Sequence, residues 1–107
     1  MAMFLVVVRR SGPDYDPALP LEEQSDWDAH AAFMDGLVDD GVIVLGGPLG
    51  DEMRVAHAVE AASEAEVRRR LGRDPWSGSH LVVESVEPWT IRLDGRPRSP
   101  PSRPTRS

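Results

Sequence analysis

VIVLGGPLGDEMRVAHAVEA (residues 42–61) holds two apolar segments joined by a Gly-Pro turn. VIVLGGPLG closes in that turn, and RVAHAVEA (54–61) follows as a second short run. Each is long enough for a strand and too short for a helix, so two strands follow one another directly. Upstream, MFLVVVR (3–9) is apolar and β-branched and reads as a further strand. Downstream, HLVVESVEPWTIRL (80–93) reads as the last strand, interrupted at Pro88, which has no N–H for a ladder.

Two helices flank the central pair of strands. DWDAHAAFMDGLVDDG (26–41) carries apolar residues at helical spacing. Ser25 is placed as its N-cap, Asp26 and Asp28 suit the positive end of the dipole, and Gly41 is placed to end it. Ser63-Glu64-Ala65-Glu66 has the spacing of a capping box and opens a second helix. That helix stops around Gly72, before Asp74-Pro75, because a residue preceding proline resists helical geometry. SGPDYDPALP, rich in proline, is a loop. The order βαββαβ predicts an α+β, ferredoxin-like domain: a four-stranded antiparallel sheet with both helices on one face.

One domain is what 107 residues support. With 40% apolar and 28% charged residues the chain is globular, and the lack of cysteine excludes disulfides, thiolate metal sites and cysteine nucleophiles. The only N-terminal apolar run is too short for a membrane span and precedes its arginines, the wrong order for a signal peptide. The expectation is a cytoplasmic protein with no membrane partner. Arg96, Arg98, Arg103 and Arg106 lie in the final segment, leaving an acidic body in a chain of net charge −6. An acidic body does not suit a phosphate backbone, so no nucleic-acid partner is expected. The domain is assigned to residues 1–93, and residues 94–107, rich in Pro, Arg and Ser, to a disordered tail.

Helices on one face leave the other to meet water, yet the strands are apolar on both faces. Phe4, Val6 and Val8 alternate with Met3, Leu5 and Val7, and residues 42–45 are apolar throughout. This chain has no third layer to give, so a second copy, packed sheet to sheet as a homodimer, is the expected cover.

At 100° per residue, Trp27, His30, Met34, Leu37 and Val38 share one stripe, so His30 points toward the sheet. Two readings follow: a packed histidine bonded to a carbonyl, or a general acid or base at the seam of sheet and helix. Asp39 lies nine residues on, half a turn out of phase, and roughly 13 Å along the axis. Asp26, at i−4, shares the face. Asp74, in the loop after the second helix, is not constrained by that geometry. No HxH or HExxH spacing links His30, His57 and His80, no GxSxG occurs, and GGPLG lacks the lysine of a phosphate loop. Its glycines suit a close backbone approach. His80, beside Ser79, is expected at the surface.

WDAHAAFMDGLVDDGVIVLGGPL, then DPW (74–76), then VEPWTI (86–91), resembles the YCII-related family of small bacterial proteins over about residues 3–93. The resemblance implies a dimeric α+β barrel and a suspected site pairing His30 with Asp74. It also implies chemistry without a cofactor, since a few relatives are described as cofactor-free enzymes on small aromatic compounds. Some relatives carry arginine three residues before the histidine; Trp27 stands there here, which favours a flat or apolar ligand over an anionic one. The expectation is a lyase or isomerase acting on a small cyclic or aromatic molecule, with His30 moving the proton and Asp74 holding its tautomer. Trp27, Phe33 and Trp76 are candidates to line the pocket, with Gly46, Gly47 and Pro48 beside a developing oxyanion. The alternative is a non-catalytic dimeric small-molecule-binding or accessory module in which the pair is structural.

Overall fold

A computed structural model of the chain describes residues 1–97. Strand β1 (Ala2–Arg10) is followed by a 3₁₀ turn (Leu21–Glu23), helix α1 (Trp27–Asp39), β2 (Ile43–Pro48) and β3 (Arg54–Ala61). Helix α2 (Glu64–Leu71) and β4 (Leu81–Pro88) complete the order. The strands form one antiparallel sheet in the order β2-β3-β1-β4, so the α+β fold is the ferredoxin-like βαββαβ arrangement expected from the element order. Pro88 ends β4 rather than interrupting it.

Register explains which side chains meet the helices. Phe4 pairs with Val59, Val6 with His57 and Val8 with Val55, and on the other side Val6 pairs with Val86. These residues share the helix-covered face, and Phe4, Val6, Val8, Val59 and Val86 are buried there with Leu37 of α1 and Val67 and Leu71 of α2. A bulge shifts the β1–β4 register between Val7 and Val8, and another shifts β2–β3 between Ile43 and Leu45.

The helix ends differ in how they are held. α2 follows its sequence signal: Ser63 Oγ accepts from the Glu66 amide, and Glu66 Oε1 reaches back to the Ala62 amide. α1 closes in a Schellman arrangement, with Gly41 N–H on the Val38 carbonyl, Val42 N–H on the Leu37 carbonyl, and Gly41 at φ +76°. Its start departs from expectation. Asp26, left-handed at φ 60°, is the cap residue and makes no side-chain cap, while Ser25 is engaged elsewhere. Val38 also leaves the expected stripe: it is 54% exposed, and Leu37 alone carries the C-terminal turn into the core.

On the open face Met3, Leu5 and Val7 are half-buried, and Leu45 and Val82 are exposed. The chain supplies partial cover after all. The Trp89 amide donates to the Met3 carbonyl, and Trp89, Ile91 and Leu93 border a groove with Val44, Leu45 and Ala58. This partial cover was not foreseen, because residues 89–93 read as the end of a strand. Of the segment assigned as a disordered tail, residues 94–97 are described, and there Arg96 bonds Asp94; the rest lies outside the described residues.

Candidate active site

Helix α1 crosses the sheet with Trp27, His30 and Met34 on one side, spaced so that they overlie one another along the axis. The partner of His30 comes from beyond α2. The chain leaves that helix at Gly72, the Asp74 amide bonds the Leu71 carbonyl, and the carboxylate turns inward. Because Pro75 has no N–H, the next amide is that of Trp76, and it donates to Asp74 Oδ1 at 2.9 Å. This turn aims the carboxylate through a bond only two residues away in sequence.

His30 Nδ1 lies 2.8 Å from both oxygens of Asp74. Both residues are buried. A carboxylate only accepts, so the imidazole proton sits on Nδ1 and the lone pair on Nε2. Nε2 has no hydrogen-bond partner among the described residues. Asp39 and Asp26 make no such contact; Asp26 contributes only its carbonyl, to the His30 amide.

Trp76 fixes the orientation of the pair. Its ring is stacked on His30 (centroids 4.0 Å apart, 5° between planes) and on His80 (4.6 Å, 13°). Trp27 lies tilted against both Trp76 and His30. The Trp76 indole N–H donates to the Ser25 carbonyl at 2.8 Å. His80, expected at the surface, is 1% exposed, which corrects that reading. Its Nε2 meets Ser25 Oγ and its Nδ1 meets Ser79 Oγ, each at 2.9 Å, so two serine hydroxyls meet the polar demand of burial. This is also why Ser25 does not cap α1.

Between α1 and the sheet lies a cavity of about 170 Å³. Trp27, His30, Met34 and Trp76 form one side. Val8 and Arg10 of β1 and Val55 and His57 of β3 form the other. His57 Nδ1 is buried without a hydrogen-bond partner. Burial pushes the His57 pKa below its ordinary value; nearby His30 adds to this, and Asp74 opposes it. A Cβ on Gly46 would stand 2.2 Å from His57 Nδ1, so the close approach expected of this glycine is made to that ring.

The remaining sequence candidates lie apart from the cavity. Gly46, Gly47 and Pro48 pair with His57, Ala56 and Val55 on β2 and do not line it. Phe33 packs toward the core and borders a separate hollow with Leu37, Asp40 and Arg70. Sequence reasoning missed Arg10 and His57 as cavity residues. The signal for both was strand alternation, since each shares the face of Val6 and Val8. Among the described residues, no group of three His, Cys, Asp or Glu is arranged to hold a metal ion, and no helix is long and apolar enough to cross a membrane. No family model, curated protein or solved structure matches the chain.

Proposed function

We propose that the protein is a cofactor-free lyase or isomerase that moves a proton on a small cyclic or aromatic molecule. The observation that carries this reading is a histidine held through Nδ1 by a buried carboxylate, with unpartnered Nε2, at the wall of a cavity. Nε2 is the general base, and Asp74 fixes the tautomer and stabilises the imidazolium that forms when the proton is taken. The resemblance to YCII-related proteins supports the same pairing. The apolar open face, only partly covered, supports a homodimer that meets sheet to sheet. A monomer mass by light scattering at micromolar concentration would remove that part of the reading.

Proton transfer can be read without knowing the net reaction. Incubating the protein in D₂O with a set of small cyclic ketones, phenols and aromatic acids should give carbon-bound deuterium on at least one of them by NMR. His30→Gln should slow that exchange by about 10²–10⁴-fold, the usual worth of a positioned acid–base group. Asp74→Asn should slow it by at least about 10²-fold, because an amide is able to stabilise the wrong tautomer. A second reading, a binding or accessory module, rests on the packing of the pair: Asp74 is also a turn residue, and His30 is also a stacked ring. Ligand binding without exchange on any compound would select it.

A further inference from the structure

His80 is a buried histidine that the proton transfer at His30 does not use. It is 1% exposed, and both of its ring nitrogens meet serine hydroxyls at 2.9 Å, Nε2 with Ser25 Oγ and Nδ1 with Ser79 Oγ. The direction of these bonds follows from the next link. Ser79 has one hydroxyl proton, and it donates that proton to the Pro75 carbonyl at 3.3 Å. Toward His80, Ser79 Oγ therefore accepts, so Nδ1 carries the ring proton and Nε2 the lone pair. Ser25 is then the donor to Nε2. The chain of bonds runs one way, from the Ser25 hydroxyl through the imidazole and Ser79 to a backbone carbonyl.

Burial of His80 explains why its nitrogens need partners, but Ser25 itself is exposed. An exposed serine whose hydroxyl proton is held by a buried base has the arrangement of an activated nucleophile. Both members are anchored to one ring. The Ser25 carbonyl accepts the Trp76 indole N–H at 2.8 Å, and His80 stacks on Trp76 with centroids 4.6 Å apart. Asp26, left-handed at φ 60°, separates Ser25 from α1, and no side chain caps that helix. The N–H groups of its first turn therefore remain open to the oxyanion of a tetrahedral intermediate. Asp26 and Asp28, close to Ser25 in sequence, are exposed and oppose a negatively charged ligand.

We propose that Ser25 is a nucleophilic serine, with His80 as its general base, that takes the acyl group of a neutral carboxylic ester. The site is built from contacts separate from the His30–Asp74 pair and stands or falls apart from it. Ser25 Oγ bonds to the ester carbonyl carbon as its proton passes to His80 Nε2. The ester C–O bond then breaks, and the alcohol leaves with that proton. Water adds to the acyl carbon and gives a proton to Nε2. The bond from the acyl carbon to Ser25 Oγ breaks, Ser25 recovers the proton, and the free acid departs. Between the transfers the imidazolium lies over the face of Trp76, where the ring quadrupole favours a cation, and its Nδ1–H stays on Ser79 Oγ.

The test uses diisopropyl fluorophosphate, a neutral reagent that leaves a stable adduct on a serine by displacing fluoride, with the whole chain labelled and the site read by peptide mass mapping. Ser63 and Ser77 are exposed serines with no imidazole partner among the described residues, and they serve as internal controls. Ser25 should be labelled at least about 10²-fold faster than either, the lower worth of a positioned base. Ser79→Ala, which keeps His80 and removes the acceptor of its Nδ1–H, should slow labelling of Ser25 severalfold. His80→Gln should bring Ser25 down to the rate of Ser77; if that variant does not fold, the Ser79→Ala comparison decides. With 4-nitrophenyl acetate as the ester, the chain should release nitrophenolate and carry the acetyl group on Ser25, and Ser25→Ala should release it about 10²-fold more slowly. Ser25 labelled no faster than Ser77, or labelled as fast in Ser79→Ala as in wild type, overturns the proposal and leaves His80 a buried ring with two structural bonds. Nitrophenolate release unchanged by Ser25→Ala overturns it as well.

Discussion

The two sides of the cavity treat buried polar groups in opposite ways. On the side made by α1 and the loop at 74–80, three of four imidazole nitrogens find partners: His30 Nδ1 has Asp74, and His80 has the hydroxyls of Ser25 and Ser79. On the sheet side, His57 Nδ1 has none. Burial without partners costs stability, so the difference separates architecture from function. The satisfied side is rigid and orients one nitrogen, His30 Nε2. The sheet side leaves one buried ring nitrogen, His57 Nδ1, without a partner.

Breaking the satisfied side should have the largest effect. Trp76 is 1% exposed, stacks on two histidines and ties its indole to Ser25. Trp76→Ala should cost about 3–5 kcal/mol of stability, the range for removing a buried aromatic ring. Urea denaturation would measure it, and a loss under about 1 kcal/mol would mean the stack is not part of the architecture.

The sheet side should yield a smaller and conditional effect. Gly46→Ala brings a Cβ to 2.2 Å from His57 Nδ1 and must displace the ring or the strand. Overpacking of this kind costs about 1–3 kcal/mol. If the ring is the obstacle, most of the cost should vanish in a His57→Ala background, because contacting residues couple strongly. A cost unchanged by His57→Ala would place the strain in the β2 backbone.

The sequence yielded the two sides unequally, for a physical reason. Strand and helix periods are local, so the βαββαβ order was legible from short windows, as was the Ser63–Glu66 cap. Phase within α1 was enough to exclude Asp39 as the partner of His30, but it left Asp26 and Asp74 both open. The choice between them came from the family resemblance, because a contact spanning 44 positions leaves no periodic trace. Ser25 shows the same limit. A serine before a helix is a good cap by local rules, and only the approach of His80, 55 positions away, gives its hydroxyl a different partner. Arg10 and His57 were legible as face-sharing strand residues, yet that they border a cavity depends on where α1 lies.

The smallest expected effect is also the one that most sharply tests the unsatisfied side. The folded His57 pKa lies below its ordinary value of 6.5, chiefly through burial. Its neutral form is therefore accommodated in the fold and its charged form is not. Above about pH 6.5 both folded and unfolded chains carry a neutral imidazole and the residue adds no pH dependence. As pH falls below that value the unfolded chain takes up the proton first, and stability declines until the folded value is reached. His57→Phe retains a ring and removes both the proton site and the orphaned Nδ1. At about pH 7.5 its stability should match wild type or exceed it by up to about 1 kcal/mol, because an unsatisfied buried acceptor has been removed. Between about pH 7.5 and about pH 5.5 it should lose less stability than wild type does. Urea midpoints at the two pH values decide the matter. Parallel losses in the two proteins would mean that His57 accepts its proton in place, with a partner for the charged ring, and the contrast between the two sides of the cavity would fail.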